Sequence, residues 1–228
     1  HSFITPIAVT AQVVLVMVAG QMFSSILAAY AFAHLKFPGR DTLFWIYIST
    51  MMIPAVVTII PLYVMVTEAG MKNTFAGLVV PLMFGSPYAI FLLRENFRAM
   101  PSELMDAARI DGASTLRRLW SVVLPMNKPI LTTLLLITVV SHWNNFMWPS
   151  VIAPAQEWRV ITVATSALQS QYSCNWTLVM AATTLALAPL IILFVAFQDQ
   201  ITRSLGVTGV RKRAESGARR AVVCCACI

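Results

Sequence analysis

Side chains able to do chemistry are scarce in this sequence, and they fall into two groups. One is a charged stretch from Arg94 to Lys128, in which Glu103, Asp106, Arg109 and Asp111 surround Gly112. Charges of both signs there could set the register of a docked partner or simply solvate a pair of surface helices. The other group consists of polar and aromatic residues set into apolar runs: Gln12, Gln21, Tyr47, His142, Asn144, Asn145 and Trp148. Polar groups at membrane depth face protein or a water-filled path, and aromatic faces beside amide donors suit sugar rings. Asn144 and Asn145 could equally cap a broken helix, and Trp148 could belong to an interfacial aromatic belt. Catalytic constellations are missing. His1, His34 and His142 are far apart, no HExxH or paired-cysteine metal spacing occurs, and no GxxxxGK[ST] loop is present to cradle a nucleotide. The sequence therefore predicts neither metal nor cofactor on this chain, and no enzymatic activity of its own.

The elements that must position these residues follow from composition. Of 228 residues, 58% are hydrophobic and 11% charged, with a mean hydropathy of +0.76. A soluble domain is typically about 25% charged, so lipid must replace water around much of this chain. A bilayer core needs roughly 20 apolar residues in helical form, and five stretches without Asp, Glu, Lys or Arg qualify. They predict spans at about 7–33, 42–67, 73–93, 129–152 and 176–198, an all-α polytopic bundle. Barrel strands would alternate apolar and polar residues, and these runs do not.

The net charge of +7 is placed unevenly. Fourteen of the sixteen Lys and Arg residues lie after the first, third and fifth runs, whereas Lys72 and Arg159 alone occupy the other connections. Basic residues stay on the cytoplasmic side, so the carboxyl end is expected to be cytoplasmic and residue 1 extracytoplasmic. Nucleic-acid binding becomes the weaker explanation of the basic excess. The chain opens on His1 with an outside amino end, which leads to the expectation of a further, sixth span before it. Gly20, Ser24, Ala28, Ala29 and Ala33 form a small-residue stripe suited to close helix packing. Pro54, Pro61, Pro81 and Pro87 are expected to bend or interrupt the second and third spans.

Residues 94–128 form the longest charged connection, and loops of that length usually have structure of their own. The pattern predicts two short helices, Glu103 to Ile110 capped by Ser102 and Thr115 to Val123 capped by Ser114, with Gly112 at the turn. Leu104, Ala107 and Ala108 share a face of the first, and Leu116, Leu119, Trp120 and Val123 a face of the second. Such a pair could lie in the lipid interface or dock in a partner's groove.

The spacing within this loop resembles the signature of integral-membrane subunits of ATP-binding cassette importers, EAA, three residues, Gly, nine residues, Ile, one residue, Leu-Pro. Here it stands as Asp106-Ala107-Ala108, then Gly112, then Val122 and Leu124-Pro125. Every spacing matches; Asp106 replaces the glutamate and Val122 the isoleucine. MPSELMDAARIDGAS is similar to the carbohydrate-uptake branch, of maltose and glycerol-phosphate type, as are Trp143-Asn144 with Trp148-Pro149 and the tail Phe197-Gln198, Arg203 and Gly209 to Lys212. The tail departs from the family at Ser204 and Thr208.

This resemblance implies a permease domain over 1–212 with a cytoplasmic tail at 213–228, in a bacterial inner membrane. It implies that Glu103, Asp106, Ala107, Ala108, Arg109, Asp111, Gly112, Leu124 and Pro125 couple to a separate cytoplasmic ATPase dimer, which would hold ATP and Mg. A second homologous permease and an extracytoplasmic solute-binding protein are the other expected partners, with no nucleic acid. Gln21, Tyr47, His142, Asn144, Asn145 and Trp148 are the substrate-path candidates for a sugar, polyol or glycerophosphate-type solute. Gln169, Gln171 and Tyr172 are candidates for binding-protein contact. The competing expectation, an ion-coupled secondary transporter or channel subunit, calls for an intramembrane acid or inverted repeats, and neither is evident. Deleting Gln169 to Ser173 is expected to impair uptake while leaving membrane insertion intact; undiminished uptake would remove these residues from the binding-protein surface.

Overall fold

A computed structural model describes residues 4–171, 177, 179–195 and 197, and among these the chain is helical with no strand. The first apolar run becomes a single helix, α1 (Ile4–His34). Its 31 residues extend roughly 46 Å, longer than the hydrocarbon core. Apolar almost throughout, α1 packs against most of the other long helices and forms the centre of the bundle.

The second run is broken. α2 (Arg40–Ser49) continues as a 3₁₀ turn, Thr50–Met52, before α3 (Ala55–Glu68) leaves at 99°. Pro54 sits at this corner in an extended conformation, where it can neither donate a hydrogen bond nor continue the preceding turn. Pro61, also expected to bend the span, lies inside α3 without ending it. The third run divides into α4 (Phe75–Val79), a 3₁₀ turn Val80–Leu82, and α5 (Pro87–Arg98), bent by 40° at the break. Pro81 and Pro87 both occupy helical N-terminal positions, where the missing N–H is no loss.

In the charged connection, α6 (Ser102–Ile110) is followed by α7 (Thr115–Arg118), a π-helical turn Leu119–Val123 and α8 (Leu124–Met126). Gly112 turns the chain at φ 72°, a left-handed geometry natural to glycine. Ser114 caps α7 as expected, its hydroxyl accepting from the Arg117 N–H, but Ser102 lies inside α6 and does not cap it.

The fourth run is α9 (Lys128–Trp143) and α10 (Met147–Ile152), separated at residues 144–146. α11 (Ile161–Gln171) falls between the predicted fourth and fifth runs. α12 (Val179–Val195) falls within the predicted fifth run. Among the described residues two helices are long and apolar enough to cross a membrane, rising to four if each bent pair is one span. Tyr172, most of 173–178 and the carboxyl tail with its three cysteines lie outside the described residues.

Two main apolar clusters hold these elements. One joins α1, α2 and α5 to the charged connection through Tyr30, Phe32, Phe44, Leu93, Phe97, Met105, Leu119 and Val123. The other, toward the opposite end of α1, gathers Val13, Met17, Val66, Leu78, Trp148 and Ile152. The small-residue stripe works within the chain: a Cβ on Gly20 would lie 2.7 Å from the Met83 carbonyl oxygen, so glycine admits the broken third run against α1. Gly77 is tighter, with a Cβ position 2.2 Å from the Met71 carbonyl oxygen. Overpacking of this kind costs about 1–3 kcal/mol. Gly77→Ala is therefore expected to lower the thermal midpoint in mild detergent by roughly 2–4 °C per kcal/mol. Gly85→Ala, whose closest neighbour is the movable end of Ile90 at 3.1 Å, should shift it less.

Candidate functional site

The charged connection has two faces. Its inner face is anchored by Met105, Leu119 and Val123, all buried against Tyr30, Phe32 and Phe97. Asn127 adds a polar anchor, donating from Nδ2 to the Val123 carbonyl at 2.8 Å and lying 3.0 Å from Met100 Sδ. Its outer face presents the motif. Glu103, Asp106, Ala107, Arg109, Asp111, Gly112 and Pro125 are exposed, while Ala108 and Leu124 are half-buried. Among the described residues none of these four charged side chains enters an ion pair within the chain. Beside them Ile110 is 86% exposed and Leu116 61%, apolar area that a solvated loop would leave in water at a cost of about 25 cal/mol per Å².

The faces differ from the sequence expectation. Leu116, Leu119, Trp120 and Val123 were expected on one stripe, yet Leu119 and Val123 are fully buried while Leu116 and Trp120 point outward. Leu116 and Trp120, four residues apart, lie along one edge of the predicted stripe and Leu119 and Val123 along the other, so the core covers one edge and leaves the other outside. Met105 as anchor and Ile110 as the most exposed apolar residue were both missed. Ile110, ending α6 just before the Gly112 turn, could have been noticed from its place beside the motif.

The polar candidates of the membrane runs are brought together at the broken third run, where backbone carbonyls lose their helical donors. Trp148, buried in the second cluster, donates from Nε1 to the Gly77 and Leu78 carbonyls, each at 3.2 Å. Gln21 on α1 donates from Nε2 to the Leu82 carbonyl at 2.8 Å. Tyr47 on α2 donates its hydroxyl to the Gly85 carbonyl. Gln21 then turns its Oε1 to His142 Nε2 at 3.0 Å. Because the Leu82 carbonyl requires the amide nitrogen of Gln21, the oxygen faces the imidazole, and His142 must carry its proton on Nε2.

The remaining candidates separate. Asn144 is exposed and ends α9, its side-chain amide donating to the Val140 carbonyl at 3.0 Å, the helix-capping alternative left open by sequence. Asn145 lines a small cavity with Thr10, His142 and Trp148, and its backbone carbonyl accepts from the Thr162 hydroxyl at 2.9 Å. Gln12 is exposed. Gln169 and Gln171 fall on α11 and Tyr172 lies outside the described residues. Among the described residues no group of His, Cys, Asp and Glu is arranged to hold a metal ion.

The described residues thus form a helical domain with two interrupted candidate spans and a structured, charged connection. Residues 20–207 match the family described as binding-protein-dependent transport system inner membrane component, and the chain belongs to that family. It is 34% identical over 210 residues to the sn-glycerol-3-phosphate transport system permease protein UgpE of Yersinia pestis, covering 90% of this chain and 70% of the relative. It is 30% identical over 198 residues to the arabinooligosaccharides transport system permease protein AraQ of Halalkalibacterium halodurans, covering 87% and 70%. A crystal structure of a bacterial ABC transporter involved in the import of the acidic polysaccharide alginate contains a similar chain, with TM-score 0.77 and 25% identity over 86% of this chain and 74% of that one. The resemblance to importer permeases carried by residues 106–125, and to their carbohydrate-uptake branch carried by residues 100–114 and 143–149, is thus borne out.

Removing one donor from the broken run should be measurable. Tyr47→Phe leaves the Gly85 carbonyl without its side-chain partner. Interhelical hydrogen bonds in membranes are worth about 0.6–2 kcal/mol, so the detergent-extracted variant is expected to unfold a few degrees lower. Thr58→Ala, whose hydroxyl bonds only within its own helix, serves as the control.

Proposed function

We propose that this chain is a transmembrane permease subunit of an ATP-driven importer, and that it forms part of the translocation path for a sugar or a related polyol or glycerophosphate-type solute. The observation carrying this reading is the two-faced connection: its inner face is locked into the membrane domain, while its motif residues and the apolar Ile110 and Leu116 are left uncovered. A separate ATPase pair, holding ATP and Mg, covers that outer face. Closure of the ATPases around nucleotide moves the docked helices as a unit, because packed elements shift as rigid bodies between discrete arrangements.

In the same proposal the connection and the carboxyl end lie in the cytoplasm and residue 1 lies outside. The bent pairs 40–68 and 75–98 each make one crossing, giving with α1, α9 to α10 and α12 five in this chain. A second homologous permease completes the path, and an extracytoplasmic binding protein delivers solute. The solute class is supported by the relatives, whose names specify glycerol-3-phosphate and arabinooligosaccharides. The neutral donors Gln21, Tyr47, His142 and Trp148 suit hydroxyl-rich solutes. A phosphate would have to meet its counter-charge at helix ends, on the partner permease or on the binding protein.

Gly112→Pro provides the test. Proline holds φ near −65° and cannot adopt the φ of 72° required at the turn. The variant should insert normally yet lose ATP-dependent uptake and fail to retain the ATPase during mild detergent extraction. Recovery of the wild-type chain from its native membrane without any ATPase would overturn the proposal.

A further inference from the structure

Arg94 begins the charged connection, one turn before the carboxyl end of α5, and is only 5% exposed. A buried guanidinium is costly unless charge and hydrogen bonds compensate it, and here the compensation comes from three different elements. Its Nη2 lies 3.1 Å from Asp41 Oδ1, in the first turn of α2. Its Nη1 lies 2.8 Å from Glu95 Oε1 on α5 itself. Its Nε donates to the Phe32 carbonyl of α1 at 3.5 Å, one of the final carbonyls that a helix leaves without an internal donor. The guanidinium plane also lies over the Phe44 ring of α2, 3.8 Å from its centroid, as a cation–π contact.

The electrostatics agree with this placement. A cation belongs at the carboxyl end of α1 and an acid at the amino end of α2, and Arg94 and Asp41 supply them as one pair. The hydrogen bond from Arg40 to Asp41, aided by the charges of Arg94 and Arg98, holds that exposed carboxyl below its usual range, so it is ionised at neutral pH. Phe97, one turn beyond Arg94, is fully buried in the same apolar cluster as Met105, Leu119 and Val123. Displacing the connection therefore displaces the carboxyl-terminal half of α5, which carries both Phe97 and Arg94, and Arg94 holds α1 and α2.

We infer that Arg94 is a positioning residue for coupling: it transmits movement of the charged connection to α1 and α2 through Asp41, Phe44 and the Phe32 carbonyl. This rests on the importer reading above. Through α1 and α2 it reaches Gln21 and Tyr47, the side chains that hold the broken third run.

The test uses the complete importer, with both permeases, the ATPase and the binding protein, in proteoliposomes, recording solute uptake and ATP hydrolysis in the same preparation. Arg94→Met keeps much of the length and apolar contact but removes the charge and all three polar bonds. Solute moved per ATP should fall roughly ten-fold, inside the 5–150-fold span usual for coupling between sites, while hydrolysis changes by less than about a factor of two. Arg94→Lys should recover part of the loss, because one ammonium cannot bond both carboxylates and lie flat over Phe44. Asp41→Asn should shift the ratio in the same direction, and the double variant should be no worse than Arg94→Met alone. If Arg94→Met does not insert, Asp41→Asn carries the test, since Asp41 is exposed. Uptake and hydrolysis falling in proportion in every inserted variant, or an unchanged ratio, would overturn the inference. A wild-type assembly without ATP-dependent uptake would instead overturn the importer reading.

Discussion

Lipid offers no hydrogen bonds, and the structure depends on that constraint more than on any other. A helix interrupted at membrane depth frees carbonyls that water would satisfy elsewhere, so protein must satisfy them. The third run is interrupted between Leu82 and Pro87, and donors converge on it from three other elements: Gln21 from α1, Tyr47 from α2 and Trp148 from α10. The same need explains the nearby packing. The break can come close enough to bond with Gln21 only because Gly20 has no side chain to meet the Met83 carbonyl. Residues that look like solute ligands in a sequence are thus occupied here in holding backbone, and a hydroxyl-rich solute would have to exchange with bonds already made.

At the other end of the molecule the governing problem is the opposite one, with apolar area and charge left uncovered. The charged connection is fastened from beneath by Met105, Leu119, Val123 and Asn127. This anchoring makes its outer surface a firm platform. A loop held only by solvent would absorb a push from outside, whereas one packed into the core passes it on. Along this platform Leu119 and Val123 face inward while Leu116 and Trp120 stay outside. Arg94 lies where platform and membrane domain meet, and its bonds cross elements distant in sequence, 53 residues to Asp41 and 62 to Phe32.

Much of this architecture was legible in the residues themselves. Charge-free runs locate the membrane helices because burying an unpaired charge in lipid is too costly. The Gly112 turn and the Ser114 cap could be read because both depend on local backbone chemistry. The spacing from Asp106 to Pro125 carried the family, since residue types at fixed intervals can be read along the chain. Bends at Pro54 and near Pro87 were also local; that α3 runs through Pro61 was not, because whether a proline ends a helix or is absorbed in one depends on what surrounds it.

What only the tertiary structure decided was pairing. Sequence alone could nominate Gln21, Tyr47, His142 and Trp148 as polar groups in lipid, but not say that three of them answer the same interrupted helix. In sequence Arg94 is one of the basic residues that mark a membrane side, whereas the fold buries it and makes it a junction of α1, α2 and α5. The physical reason is common to both cases. Hydropathy, capping and turn geometry are properties of neighbours along the chain, while the partner of a hydrogen-bond donor or of a buried charge is set by which helices meet.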